Sequence, residues 1–210
     1  VTIDGSLSGG TDRSLNLIAT ASTGAVVWIA SASASNGALN NTVKNCNIEG
    51  NSSTGTTGGI LAGSGTTLGG AADSPNNNIT IQNNSIIRVV NGLFLFGNAS
   101  VPDNNWLVSG NGFGSATTAD KLSFRGVFIG NAQNFTVTGN TISGVVSTTS
   151  SSSTMTGIQV NGAGTGGIIT RNSIRDVKQT NTTGWGSNGI WLTGSSTAAN
   201  LLISNNFILD

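Results

Sequence analysis

Val137-Thr138-Gly139-Asn140-Thr141-Ile142 decides the fold, because the chain writes this stretch repeatedly. Its frame, apolar-x-x-Asn-x-apolar, returns at Ile81–Ile86, Val108–Phe113, Ile169–Ile174 and Ile203–Ile208. Val43–Ile48 is the first occurrence, with Cys46 in the Asn place. The remaining occurrences form a column of Asn84, Asn111, Asn140, Asn172 and Asn206. A second frame, Gly-apolar-x-apolar, follows each of the first five at Gly59–Ala62, Gly92–Leu95, Gly126–Ile129, Gly157–Val160 and Gly189–Leu192. Val26–Ile29 fits that frame without its Gly. Units recur every 27 to 38 residues or so, a spacing that belongs to stacked repeats.

Short β-branched runs bounded by Asn and Gly read as strands, and no ten-residue stretch carries a 3.6-residue period. An immunoglobulin-like sandwich would alternate but would not hold one Asn in register through the chain. A coil of short parallel strands does. In such a coil an Asn at a corner bonds its amide to the Asn above and below, about 4.8 Å away. It also tolerates the left-handed backbone that a corner needs. The Asn column therefore reads as a builder of the coil rather than as chemistry.

The repeat resembles that of the right-handed parallel β-helices of the pectate-lyase-like superfamily. It is closest in character to the Asn/Gly/Thr-rich versions in large secreted bacterial surface proteins. The resemblance spans residues 1–210 and implies an all-β, right-handed parallel β-helix, a single-stranded solenoid of about six to seven rungs forming one domain. It says less about function, since that superfamily includes lyases, hydrolases, tailspikes, adhesins and passive stalks.

Composition removes whole classes of activity. The 210 residues include 31 Gly, 27 Asn, eight basic and eight acidic side chains, one Cys and no His. A neutral chain with scattered basic residues has no electrostatic footprint for nucleic acid or anionic lipid. Without His there is no Ser-His-Asp chemistry and no His metal site. Cys46 alone excludes an internal disulfide framework and is expected to be a small buried residue. Apolar runs such as Ala25–Ala30 are far too short to cross a membrane as a helix. The chain begins with Val and both ends are strand-like, so it is expected to be a mature protein or a piece of a longer polypeptide.

The acidic residues are Asp4, Asp12, Glu49, Asp73, Asp103, Asp120, Asp176 and Asp210, and the repeat does not stack them. On later rungs Glu49 is replaced by Ile87, Gly114, Ser143, Arg175 and Leu209. The resemblance implies clustered carboxylates for an enzyme, and the Asp-Asp, Gly-His-Gly and Arg-Ile-Lys signatures of the hydrolases are missing. Glycosidases need two carboxyl groups within about 5–10 Å, and only Asp103 and Asp120, in one inter-rung loop, are placed to meet. No catalysis and no cofactor is expected. Oxygen-rich loops at Asp73–Asn78 and Asp103–Asn105 are the candidates for Ca²⁺, although they lack a calcium-repeat spacing.

One column stands out. Between the two inward apolar positions of the second frame lies an outward one, occupied in turn by Trp28, Leu61, Phe94, Phe128, Gln159 and Trp191. At about 4.8 Å per rung this is a ridge roughly 24 Å long, and exposed apolar patches of that size mark an interface or a ligand groove. Trp28, Leu61, Phe94, Phe128 and Trp191 are thus an interface stripe, for self-association or for carbohydrate, unless the loops at 64–77, 97–105, 145–155 and 178–187 cover them. Neither end carries a polar cap or charge cluster, so both are expected to be continued by further rungs or by another subunit. The reading is a non-catalytic structural block of an extracellular surface protein or fibre. The alternative is a polysaccharide-binding or polysaccharide-cleaving module, or a glycan-binding adhesin.

Overall fold

The computed structural model describes residues 1–147, 153–162, 164–180, 186–194 and 199–209. They form a parallel β-solenoid of about six turns. Each turn gives one strand to each of three sheets. Sheet A holds Thr2–Asp4, Thr42–Lys44, Thr80–Gln82, Leu107–Ser109, Thr136–Thr138, Ile168–Thr170 and Leu202–Ser204. Sheet B holds Leu15–Ile18, Cys46–Glu49, Ser85–Ile87, Gly112–Phe113, Thr141–Ser147, Ser173–Gln179 and Phe207–Leu209. Sheet C holds Ala25–Ala30, Gly58–Gly63, Asn91–Phe96, Arg125–Gly130, Met155–Asn161 and Ser187–Thr193.

The repeat is therefore three strands per turn, where the sequence pattern reads as two blocks. The first block breaks because the chain turns sharply inside it, between sheets A and B. The left-handed backbone that makes this corner belongs to the residue before the column Asn, not to the column Asn itself. Asn45, Asn83, Gly110, Gly139, Arg171 and Asn205 have φ between 50° and 65°. A second left-handed corner, ahead of sheet A, is made by Asn40, Asn78, Asn105, Asn134, Gly166 and Asn200 with φ between 46° and 64°. Asn is the side chain most at home there after Gly. Part of the chain's asparagine content thus serves backbone geometry.

Registers run unbroken through the stack. Val43, Ile81, Val108, Val137, Ile169 and Ile203 pair in sheet A. Ile48, Ile86, Phe113, Ile142, Ile174 and Ile208 pair in sheet B. In sheet C the inward line is Val27, Ile60, Leu93, Val127, Ile158 and Ile190. These lines enclose one aliphatic core. The Gly of the second frame sits where sheet C leaves the corner after sheet B. A Cβ on Gly126 would lie 2.6 Å from the Gly157 carbonyl oxygen and 2.7 Å from Ile142 Cγ2, so only Gly fits.

Candidate functional site

The Asn column forms a hydrogen-bonded ladder along the A–B corner. Asn84 Nδ2 donates to Asn111 Oδ1 at 3.0 Å, Asn111 Nδ2 to Asn140 Oδ1 at 3.0 Å, and Asn140 Nδ2 to Asn172 Oδ1 at 2.9 Å. Asn172 Nδ2 continues it to Asn206 Oδ1 at 2.9 Å. Each of these Oδ1 atoms also accepts the backbone N–H of the Asn one turn earlier, as Asn140 Oδ1 does from Asn111 at 2.9 Å. The second amide hydrogen goes to a sheet A carbonyl of the previous turn, Val108 in the case of Asn140. Cys46 N donates to Asn84 Oδ1 at 3.0 Å, so Cys46 closes the ladder without an amide of its own. Asn84, Asn111, Asn140 and Asn172 are buried. Their amides are fully engaged with protein partners, which leaves them structural. The Cys46 thiol is buried against the Lys44 carbonyl, and burial pushes its pKa up, away from the reactive thiolate.

The charged side chains mostly pair with one another. Arg88 bridges Glu49 and Asp120 across turns, and Asp176 bridges Lys121 at 3.0 Å and Lys178 at 3.2 Å. Asp103 and Asp120 are not brought together. Asp103 stands at the corner ahead of sheet A, where Asp103–Asn104 pairs with Ala132–Gln133, whereas Asp120 stands in the loop from sheet B to sheet C beside Arg88. Asp103 is fully buried: one oxygen accepts Asn76 N at 2.9 Å, the other has no hydrogen-bond partner among the described residues, and desolvation pushes its pKa up to about 7. Asp73 is held by Ser31 Oγ, Ser64 Oγ and the Gly65 N–H, which keep its carboxyl below the usual range. The two oxygen-rich loops are thus knitted internally, and among the described residues no three acidic or thiol groups gather as metal ligands.

The outward column of sheet C lies in the expected register, but it is not an exposed ridge. Leu61 is 2% exposed, Phe128 4% and Gln159 4%. Phe94 and Trp191 are half-buried, and only Trp28, on the first turn, is open at 43%. Two things cover the column. The loop after Gly58–Gly63 folds back across it, with Ser64 N bonded to the Gly70 carbonyl and Ala72 N to that of Phe96. The aromatic rings also cover one another: Phe94 stacks on Phe128 at 4.4 Å and both meet the edge of Phe96 at 5.8–5.9 Å.

Farther along, the covering opens into a cleft of about 570 Å³. Phe124, Arg125, Thr154, Gln159, Asn188 and Trp191 line it. Two neighbouring columns of sheet C supply its strand residues: Arg125 and Asn188 come from the paired line Arg125, Thr156, Asn188, and Gln159 and Trp191 from the paired line Phe128, Gln159, Trp191. The Arg125 guanidinium lies 3.7 Å from the Phe124 ring centre and 4.9 Å from that of Phe128, and its Nε donates to Gln159 Oε1 at 2.6 Å. The sequence signal for this cleft was Gln159, the one polar member of an otherwise apolar column. No known protein family, curated protein or solved structure matches the chain.

Proposed function

We propose that this chain is a non-catalytic structural segment of an extracellular surface protein or fibre, a rod whose turns stack on further strands. The observation that carries the reading is the unbroken stack: three parallel sheets keep one register from turn to turn, with a buried Asn ladder along one corner. The two ends of such a stack present strand edges and core, surfaces that other strands cover. Either further turns of one polypeptide or a second copy stacked head to tail would serve. The Asn ladder and the ion pairs stiffen the flanks, and the Ser/Thr/Asn-rich, nearly uncharged composition suits exposure outside the cell. The right-handed coil of the pectate-lyase-like superfamily is the finer family assignment we favour, on the Asn register and the three-sheet turn.

Sedimentation of the purified chain tests this reading. Association should grow with protein concentration, and Leu192→Lys with Ile208→Lys should abolish it while leaving the melting transition cooperative. A chain that stays monomeric at every concentration, or associates equally well with both lysines in place, would sink it.

A further inference from the structure

We infer that the cleft on the outer face of sheet C is a binding site for a small carboxylate carried on a flat apolar ring. The argument starts from Arg125. Its flat face is occupied by Phe124, with Phe128 also in range, and its Nε is occupied by Gln159. What is left is the edge bearing the two terminal nitrogens. Among the described residues neither nitrogen has a hydrogen-bonding partner and no carboxylate reaches the guanidinium. Arg125 is therefore unlike Arg88, Lys121 and Lys178, each of which is paired with an acid. Burial lowers its pKa to about 10, so it stays protonated at neutral pH while having lost much of its water. A desolvated cation with two parallel N–H groups free matches the two oxygens of a carboxylate.

The rest of the cleft narrows the ligand. Among the described residues no second Lys or Arg lines it, so the charge present suits a monoanion rather than a phosphate dianion. The volume, about 570 Å³, lies in the range of small-molecule sites and leaves room well beyond one carboxylate. The Trp191 indole and the Phe124 ring supply flat apolar wall, which favours a ring able to stack. Asn188 and Thr154 add hydrogen-bonding groups on the same lining. Arg125 and Gln159 are strand residues of sheet C, fixed by the parallel register rather than by a loop, so the charged group and its orienting amide are preformed.

Titration of the whole chain with benzoate, followed by NMR and calorimetry, tests the site. Benzoate should bind saturably with a dissociation constant of about 1 mM, a reasonable strength for so small a ligand. Benzamide, the same shape without the charge, should bind about ten-fold more weakly. Arg125→Lys keeps a cation but loses the fork, and should weaken benzoate by a similar factor of about ten. Trp191→Ala, farther from the charge, should weaken benzoate and leave the response to acetate unchanged, with both variants checked for an unaltered melting profile. The site is overturned by an absence of saturable benzoate binding at about ten times that concentration. Equal affinity for benzamide, or an undiminished Arg125→Lys, also overturns it. Tighter binding of glucuronate than of benzoate overturns the apolar ring.

Discussion

At the scale of single residues, this molecule separates two uses of asparagine that look alike in sequence. The column Asn puts its amide inside, and the Asn or Gly before it bends the backbone. Asn140→Leu would leave the backbone N–H of Asn111 without its acceptor in a buried corner and would take one donor each from Val108 O and Asn172 Oδ1, the latter keeping the backbone N–H of residue 140. A buried unpaired group costs about 1–3 kcal/mol, and the variant should lose a similar amount, about 2 kcal/mol, in a denaturant melt. Unchanged stability would contradict the ladder. Asp103 offers a pH test. Burial raises its pKa from 3.8 to about 7 in the folded chain, so folding favours the protonated acid. The stabilisation is complete below the unfolded pKa and is lost as pH rises through about 7, an effect of about 4 kcal/mol. Asp103→Asn should flatten that fall in stability between about pH 4 and pH 7. An identical pH profile in the variant would place the titration elsewhere. The Asn column was legible in the sequence because its position never shifts. The left-handed position was not, because Asn, Gly and Arg171 all fill it and no single residue type marks it.

At the scale of elements, the Gly of the second frame shows why a motif can be read without its cause. The sequence displays Gly59, Gly92, Gly126, Gly157 and Gly189 near the head of five of the six sheet C strands, but nothing local demands them there. The demand is tertiary: a Cβ on Gly189 would come within 2.6 Å of Ile208 Cγ2, and one on Gly157 within 2.5 Å of the Gly189 carbonyl. Gly126→Ala should therefore destabilise by about 1–3 kcal/mol through overpacking. Gly112→Ala is the control, since its Cβ would meet only the Asn84 carbonyl at 4.0 Å, and it should be neutral within about 0.5 kcal/mol. Equal effects at the two sites, read by thermal melting, would mean that the corner relaxes. The outward column shows the complementary limit. Alternation places Leu61, Phe94 and Phe128 outside the sheet correctly, yet alternation carries no information about a loop returning over them. Arg125 was legible only as a basic residue. Its isolation from every described carboxylate needs the fold.

At the scale of the whole molecule, the distribution of charge determines how copies would meet. Most of the paired charges lie along the flanks, as Glu49–Arg88–Asp120 and Lys121–Asp176–Lys178. The terminal turns instead present Leu192, Ile203, Ile208 and the half-buried side chains of the first turn. Association through those turns is apolar contact plus strand pairing. It should weaken on cooling, as hydrophobic contacts do, and change only modestly with salt, because the exposed pairs that salt screens lie mostly along the flanks, Lys44–Asp4 on the first turn excepted. A first turn meeting a last turn is a heterologous contact, and a parallel stack has no rotation that closes it into a ring. Sedimentation should therefore show a broad series of sizes that lengthens with concentration, with the melting temperature rising alongside because the buried terminal turns are stabilised by mass action. A single sharp dimer would point to a two-fold contact between sheet faces. In that case Trp28, the one open residue of the outward column, becomes the residue to substitute first.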